Sequence, residues 1–154
     1  MTRAEFAADA AGNAGRIYHE AIKALANAAT GHGALKAPQG RAFIDNPLCG
    51  DCVEIQVNLA GSRITALAHQ VKGCLLCCAA ASVIGKRAVG ATLDEVEQIS
   101  AGVTQMLEQQ APPPAGWQEL SAFAPVHGHR SRYDCVRLPF QALLAALRAA
   151  GEQH

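Results

Sequence analysis

The clearest regularity in the chain is an alternation. Across Val53-Glu54-Ile55-Gln56-Val57-Asn58-Leu59, apolar residues hold every second position and polar residues the positions between. Period two marks a strand with one face against a core. The turn Ala60-Gly61-Ser62-Arg63 follows, and Ile64 to Val71 reads as the returning strand of a β-hairpin. A third strand around 42–45 is expected to join it. Helical spacing takes over elsewhere. Ile17, Tyr18, Ala21, Ile22 and Leu25 predict an amphipathic helix over 16–29, with Gly12 and Gly15 loosening what precedes it. Glycines and a proline in 30–40 then break the pattern.

Gly73 ends the hairpin, and the Leu- and Ala-rich run from Cys74 to Lys86 predicts a second helix. Thr92 with Glu95 forms a capping box ahead of Leu93, Val96, Ile99, Val103, Met106 and Leu107, predicting a helix over 93–110. "APPPAG" (111–116) stops that helix and reads as a surface loop. The last helix is expected to start at Pro139, since proline suits a first turn, and to run to Gly151. These elements predict an α+β fold, a small three-stranded antiparallel sheet packed by helices. No internal repeat is visible.

The length, 154 residues, suits a single domain over 1–154 with its core at about 16–148. A formal net charge of zero lacks the basic footprint of a nucleic-acid binder. The first ten residues lack the apolar region of a signal peptide, and the longest apolar run is about half of what a membrane span needs. The expected location is therefore cytoplasmic, with no membrane partner. Thiols stay reduced there, so six cysteines point to metal or sulfur chemistry more than to disulfides.

Those cysteines allow several constellations. Cys49-x-x-Cys52 and Cys74-x-x-Cys77, with 21 residues between, have the spacing of a four-cysteine zinc ribbon, a structural interaction module. Against it, Cys77 falls inside a helix and Cys52 falls in the polar register of the strand. A second set joins Cys49, Asp51, Cys74 and the distant Cys135. Cys74 follows Gly73 at a predicted helix N-terminus, where the helix dipole favours thiolate. Asp51 supplies a harder oxygen donor, giving a site that holds iron or zinc without sealing it. A third, weaker reading is a thiol–disulfide enzyme using Cys49-Gly-Asp-Cys52, although that motif precedes a strand instead of opening a helix. The plain alternatives are a structural turn with buried thiols for the first residues and a core cysteine at a strand end for Cys135. Core packing is expected for Cys77 and Cys78, a spare thiol for Cys52, a packed ring for His69 and a solvated loop for His127 and His129. Arg130, Arg132 and Arg137 form a small basic patch near Cys135, by default a solvated face.

The strings "NPLCGD" (46–51), "VKGCLLCCAAAS" (71–82) and "RYDCVRLPFQAL" (132–143) resemble the three cysteine motifs of the U-type iron–sulfur cluster assembly scaffold family, which includes IscU, SufU and NifU N-terminal-like proteins. "IYHEAI" (17–22) is similar to the family's first helix. The long gap from Cys74 to Cys135, Arg132, and the lack of a Leu-Pro-Pro-Val-Lys string resemble the SufU type most. The resemblance implies a SufE/NifU-like fold and a non-enzymatic role. It implies that Cys49, Asp51, Cys74 and Cys135 hold iron or a labile [2Fe–2S] cluster. Sulfur would come from a cysteine desulfurase, with Cys74 or Cys135 as acceptor, and the cluster would pass to acceptor apoproteins. Some SufU-type members instead look like zinc-bound sulfur acceptors. Three features depart from the family pattern. Asp134 stands where His or Lys is usual and could add an oxygen ligand. Cys52, Cys77 and Cys78 are extra thiols. "AATGHG" (28–33) replaces the usual Pro-Arg-Asn segment.

Overall fold

The alternating segment forms the middle of a sheet. In the computed structural model, which describes residues 19–152, β1 (Gly40–Asn46), β2 (Asp51–Ala60) and β3 (Arg63–Lys72) pair antiparallel in the order β1-β2-β3. Val53, Ile55 and Val57 are fully buried on one face of β2. The other face is drier than its polar pattern suggests. Gln56 is buried because the 30–39 connection folds over it: its Oε1 accepts the Leu35 N–H at 2.8 Å and its Nε2 donates to Glu54 at 2.7 Å. Both ends of the amide are satisfied, so its burial costs little.

The helices are α1 (Glu20–Ala28), α2 (Leu75–Arg87), α3 (Leu93–Gln109) and α4 (Tyr133–Glu152). The predicted first helix starts at Glu20, later than expected, because the extended His19 caps it with its ring accepting the Ala21 N–H; residues 16–18 lie outside the described residues. Helix α2 buries Leu76, Cys77 and every residue from Ala79 to Ile84, as expected of a helix that is apolar all round. It lies between α1 and α4, while α4 crosses β1 and β2. That crossing is close. A Cβ on Gly40 would overlap the Ala146 carbonyl, so only glycine lets the strand and helix meet there. The capping box of α3 forms as predicted, with Thr92 Oγ1 accepting the Glu95 N–H at 3.2 Å and Glu95 Oε1 accepting the Thr92 N–H at 2.9 Å.

Two expectations are corrected. Helix α4 begins at Tyr133, and Pro139 is an interior residue. Proline cannot donate to the Cys135 carbonyl, yet the helix continues because Cys135, Val136, Leu138 and Phe140 are buried on both sides of it. Cys135 therefore sits in a first helical turn, not at a strand end. The proline run is a loop as expected, and the segment after it, for which the sequence pattern predicts no element, is folded. Gln118–Val126 is a 3₁₀ segment, followed by a short 3₁₀ turn, Arg130–Arg132. Trp117, Leu120, Phe123 and Val126 recur every third residue, the period of a 3₁₀ helix, and all are buried. The Trp117 ring lies 6.0 Å from that of Phe140, joining this segment to α4.

Glu119 fastens the same segment to the end of α2, accepting from Arg87 at 2.8 and 2.6 Å and pairing with Lys86 at 2.8 Å. The Arg87 hydrogen bonds, with help from Lys86, hold the Glu119 carboxyl down at about 2. A carboxyl depressed in the folded state contributes stability above its unfolded pKa and loses it as pH falls through the folded value. In urea unfolding, Glu119→Gln should therefore lower stability by a constant amount above about pH 5, with the deficit shrinking between about pH 4.5 and 2.

Candidate metal centre

The β1–β2 turn brings the first candidates to one end of the sheet. Asn46 Oδ1 accepts the Leu48 N–H at 3.0 Å, and the Asn46 carbonyl accepts the Gly50 N–H at 2.8 Å. Gly50 has φ +79°, a conformation that glycine adopts without strain. This turn leaves Cys49 exposed at its tip and starts β2 with Asp51 turned inward, only 2% exposed.

Asp51 then meets the start of α2. Its Oδ1 accepts the Cys74 N–H at 2.8 Å, and its Oδ2 lies 3.3 Å from the Cys74 sulfur. Cys74 is the N-cap of α2, in the extended conformation an N-cap adopts. Gly73 makes the approach possible, since a Cβ there would stand 2.5 Å from Asp51 Oδ1. Cys135, fully buried in the first turn of α4, closes the group. One ligand atom each from Cys49, Asp51 and Cys135 lie within 4.8 Å of one another. In a tetrahedral site with bonds of about 2.3 Å, sulfurs stand about 3.8 Å apart, so a small contraction would suffice to bind an ion. Cys49 and the half-buried Cys74 leave one side accessible.

The thiols differ in acidity. The Cys135 thiol beside it holds Cys74 below the ordinary thiol range, opposed by burial and assisted by the nearby Cys77 N–H, although that group closes no cap hydrogen bond. The same contact with Cys74, reinforced by burial, pushes Cys135 up. Cys74 therefore ionises first and Cys135 keeps the proton. Burial pushes Cys77 and Cys78 up as well, keeping both as neutral thiols.

The remaining candidates lie apart from this group. Successive strand residues face opposite ways, so Cys52 points away from Asp51. It lines a shallow groove on the outer face with Phe43, Glu54, Gln70 and Lys72. A ribbon of Cys49, Cys52, Cys74 and Cys77 therefore does not form, and Cys49-Gly-Asp-Cys52 opens no helix. Cys77 is core, as expected, and the half-buried Cys78 places its sulfur 3.9 Å from the Gly73 carbonyl. Asp134 is 60% exposed and lies 3.9 Å from Arg137. On a helix it stands about 100° round from Cys135, away from the site. His69 is packed, with Nε2 2.7 Å from the Thr30 carbonyl. His127 is not simply solvated: its Nδ1 meets the Leu107 carbonyl at 2.7 Å. Arg130 lines a polar cavity with Glu108, His127 and Tyr133. Two contributors were missed from sequence, Gly73 as the gap that admits Asp51 and the Cys77 N–H beside Cys74. The Gly-Cys opening of a helix was the available signal for both.

A three-stranded antiparallel sheet packed by helices is the fold of the U-type scaffold family. The NifU-like N terminal domain family matches residues 17–123, and the chain belongs to that family. The iron–sulfur cluster assembly scaffold protein IscU of Streptococcus pyogenes serotype M1 is 26% identical over 113 residues, 72% of this chain and 71% of that protein. The crystal structure of a nitrogen-fixing NifU-like protein (N-terminal) from Brucella abortus superposes with a TM-score of 0.84 at 29% identity, covering 90% of this chain and 97% of that one. The FiSufU protein of the SUF system from Fervidobacterium islandicum AW-1 shares the fold, with a TM-score of 0.78 at 22% identity over 87% of this chain and 98% of that one. The family match contains Cys49, Asp51 and Cys74 and ends before Cys135, whose place in the group comes from the fold alone.

The influence of Cys135 on Cys74 is open to measurement. Cys135→Ala should raise the pH midpoint for iodoacetamide alkylation of Cys74, followed by peptide mass spectrometry. An unchanged midpoint would show that Cys135 does not tune Cys74.

Proposed function

We propose that the chain is an iron–sulfur cluster assembly scaffold whose cargo is held by Cys49, Asp51, Cys74 and Cys135. The observation that carries this reading is the convergence of these residues from three separate parts of the fold at an end open to solvent. Soft thiolates suit iron and iron–sulfur clusters, while one hard carboxylate in place of a fourth sulfur makes release easier. Cys74, the thiol that ionises first, is the nucleophile suited to accept sulfur from a cysteine desulfurase. The assembled cluster then passes to acceptor apoproteins. Leu48, 94% exposed next to Cys49, offers an arriving partner an apolar contact beside the site. The role is non-enzymatic and cytoplasmic; no described helix is long and apolar enough to cross a membrane. Asp134 remains outside the ligand set, held toward Arg137.

The same ligands suit zinc, which accepts three sulfurs and one oxygen in tetrahedral geometry. A zinc-bound sulfur-transfer partner of a desulfurase is thus the second reading. Anaerobic reconstitution with ferrous iron and sulfide separates the two. A scaffold gains a visible chromophore with stoichiometric iron and sulfide, whereas a zinc protein keeps zinc and stays colourless. In either case Cys49→Ala and Cys74→Ala should lose bound metal, while Cys52→Ser keeps it. Wild-type metal content in both alanine variants would refute the ligand set.

A further inference from the structure

Cys77 is a thiol that metal binding does not use, yet it stands in a defined relation to one that does. Cys74 is the N-cap of α2 and Cys77 occupies the third helical position. An N-cap side chain sits over the N–H groups of the second and third helical residues, so the Cys74 side chain starts from the same turn that carries Cys77. Helical side chains lean back toward the N-terminus, which directs the Cys77 thiol at the turn carrying Cys74. The Cys78 N–H bonds to the Cys74 carbonyl at 3.1 Å, so Cys74 already belongs to the helical ladder. Helix pitch and radius then put the Cα atoms of residues 74 and 77 about 5 Å apart. That is within the range of about 4.4–6.8 Å that a disulfide spans.

Burial divides the labour between the two. Cys77 is fully buried, so a reagent arriving from solvent meets the half-exposed Cys74 and not Cys77. Cys78 is less suited, because its sulfur is directed at the Gly73 carbonyl.

We propose that Cys77 is a resolving thiol that releases sulfur from Cys74 as sulfide. The step rests on the reading that Cys74 receives sulfur as a persulfide. The ionised outer sulfur of the Cys74 persulfide takes the Cys77 proton, and the Cys77 thiolate so formed attacks the inner sulfur, forming the Cys74–Cys77 disulfide and breaking the bond to the outer sulfur. That sulfur leaves as hydrosulfide, carrying the Cys77 proton. It gains two electrons, and the two cysteine sulfurs are together oxidised by two. An external dithiol returns the disulfide to its starting state. Sulfur delivered by a persulfide is two electrons short of the sulfide in a cluster, and this pair supplies them within one helical turn.

The test needs neither metal nor desulfurase. The full chain is treated with inorganic polysulfide, freed of excess reagent, and followed by sulfide trapping and disulfide mapping. Wild type should release sulfide with an equimolar Cys74–Cys77 bridge. Cys77→Ser, and Cys77→Ala as a variant that keeps the buried floor apolar, should hold the persulfide on Cys74 and release sulfide at least about ten-fold more slowly. Cys78→Ser should behave as wild type. Oxidised glutathione should produce the same bridge without any persulfide. Wild-type release from the Cys77 variants, a bridge from Cys74 to Cys78 or Cys135, or no 74–77 bridge with either reagent would overturn the proposal. A chain that forms the bridge but binds no cluster would instead refute the scaffold reading and leave the dithiol intact.

Discussion

The site depends on one buried carboxylate. Asp51 leaves solvent at the start of β2, and an ion removed from water without partners costs several kcal/mol. Its compensation comes from the N-terminal end of α2, where the Cys74 N–H donates to it and the helix dipole favours negative charge. The interaction works in both directions. It makes the burial of Asp51 tolerable, and it fixes where β3 ends, where α2 begins, and where the Cys74 sulfur stands. Gly73 is the steric condition for it, because any side chain there would occupy the space of the carboxylate.

Around that contact the fold gathers groups that repel one another once ionised. Each thiolate formed beside Asp51 adds negative charge to the same small volume. The free site answers by keeping the proton on Cys135 while Cys74 loses its own more readily. A cation resolves the conflict, displacing protons and turning mutual repulsion into coordination. A fourth thiolate would hold metal more firmly, whereas an aspartate that already has a hydrogen-bond partner in the Cys74 N–H can let go. A transferable cargo fits such a site better than a permanent structural ion.

Much of this was legible in the sequence, for local reasons. The period-two run over 53–59, the Thr92 capping box and the Gly73-Cys74 junction encode their structures within a few residues, and all three appear. The motif around Cys49 and Asp51 was equally readable because its turn is built from its own side chains. What escaped was set by tertiary burial. Pro139 favours a helix start on local grounds, but the packing of Cys135 and Val136 moves that start to Tyr133. Trp117, Leu120, Phe123 and Val126 followed period three, a rhythm easily lost beside a proline run. Gln56 and His127 looked solvated because their partners, Leu35 N–H and the Leu107 carbonyl, come from segments about twenty residues away. Cys135 stands far along the chain from the rest of its set, and only the fold brings it beside Cys49 and Asp51.

The central claim is that one carboxylate and three sulfurs share a single ion. X-ray absorption at the zinc edge of the zinc-loaded full chain tests it most directly, comparing wild type with Asp51→Cys. Wild type should show three sulfurs at about 2.3 Å with one oxygen near 2.0 Å, and Asp51→Cys should convert this to four sulfurs. A wild-type shell of four sulfurs, or one dominated by oxygen and nitrogen, would contradict it.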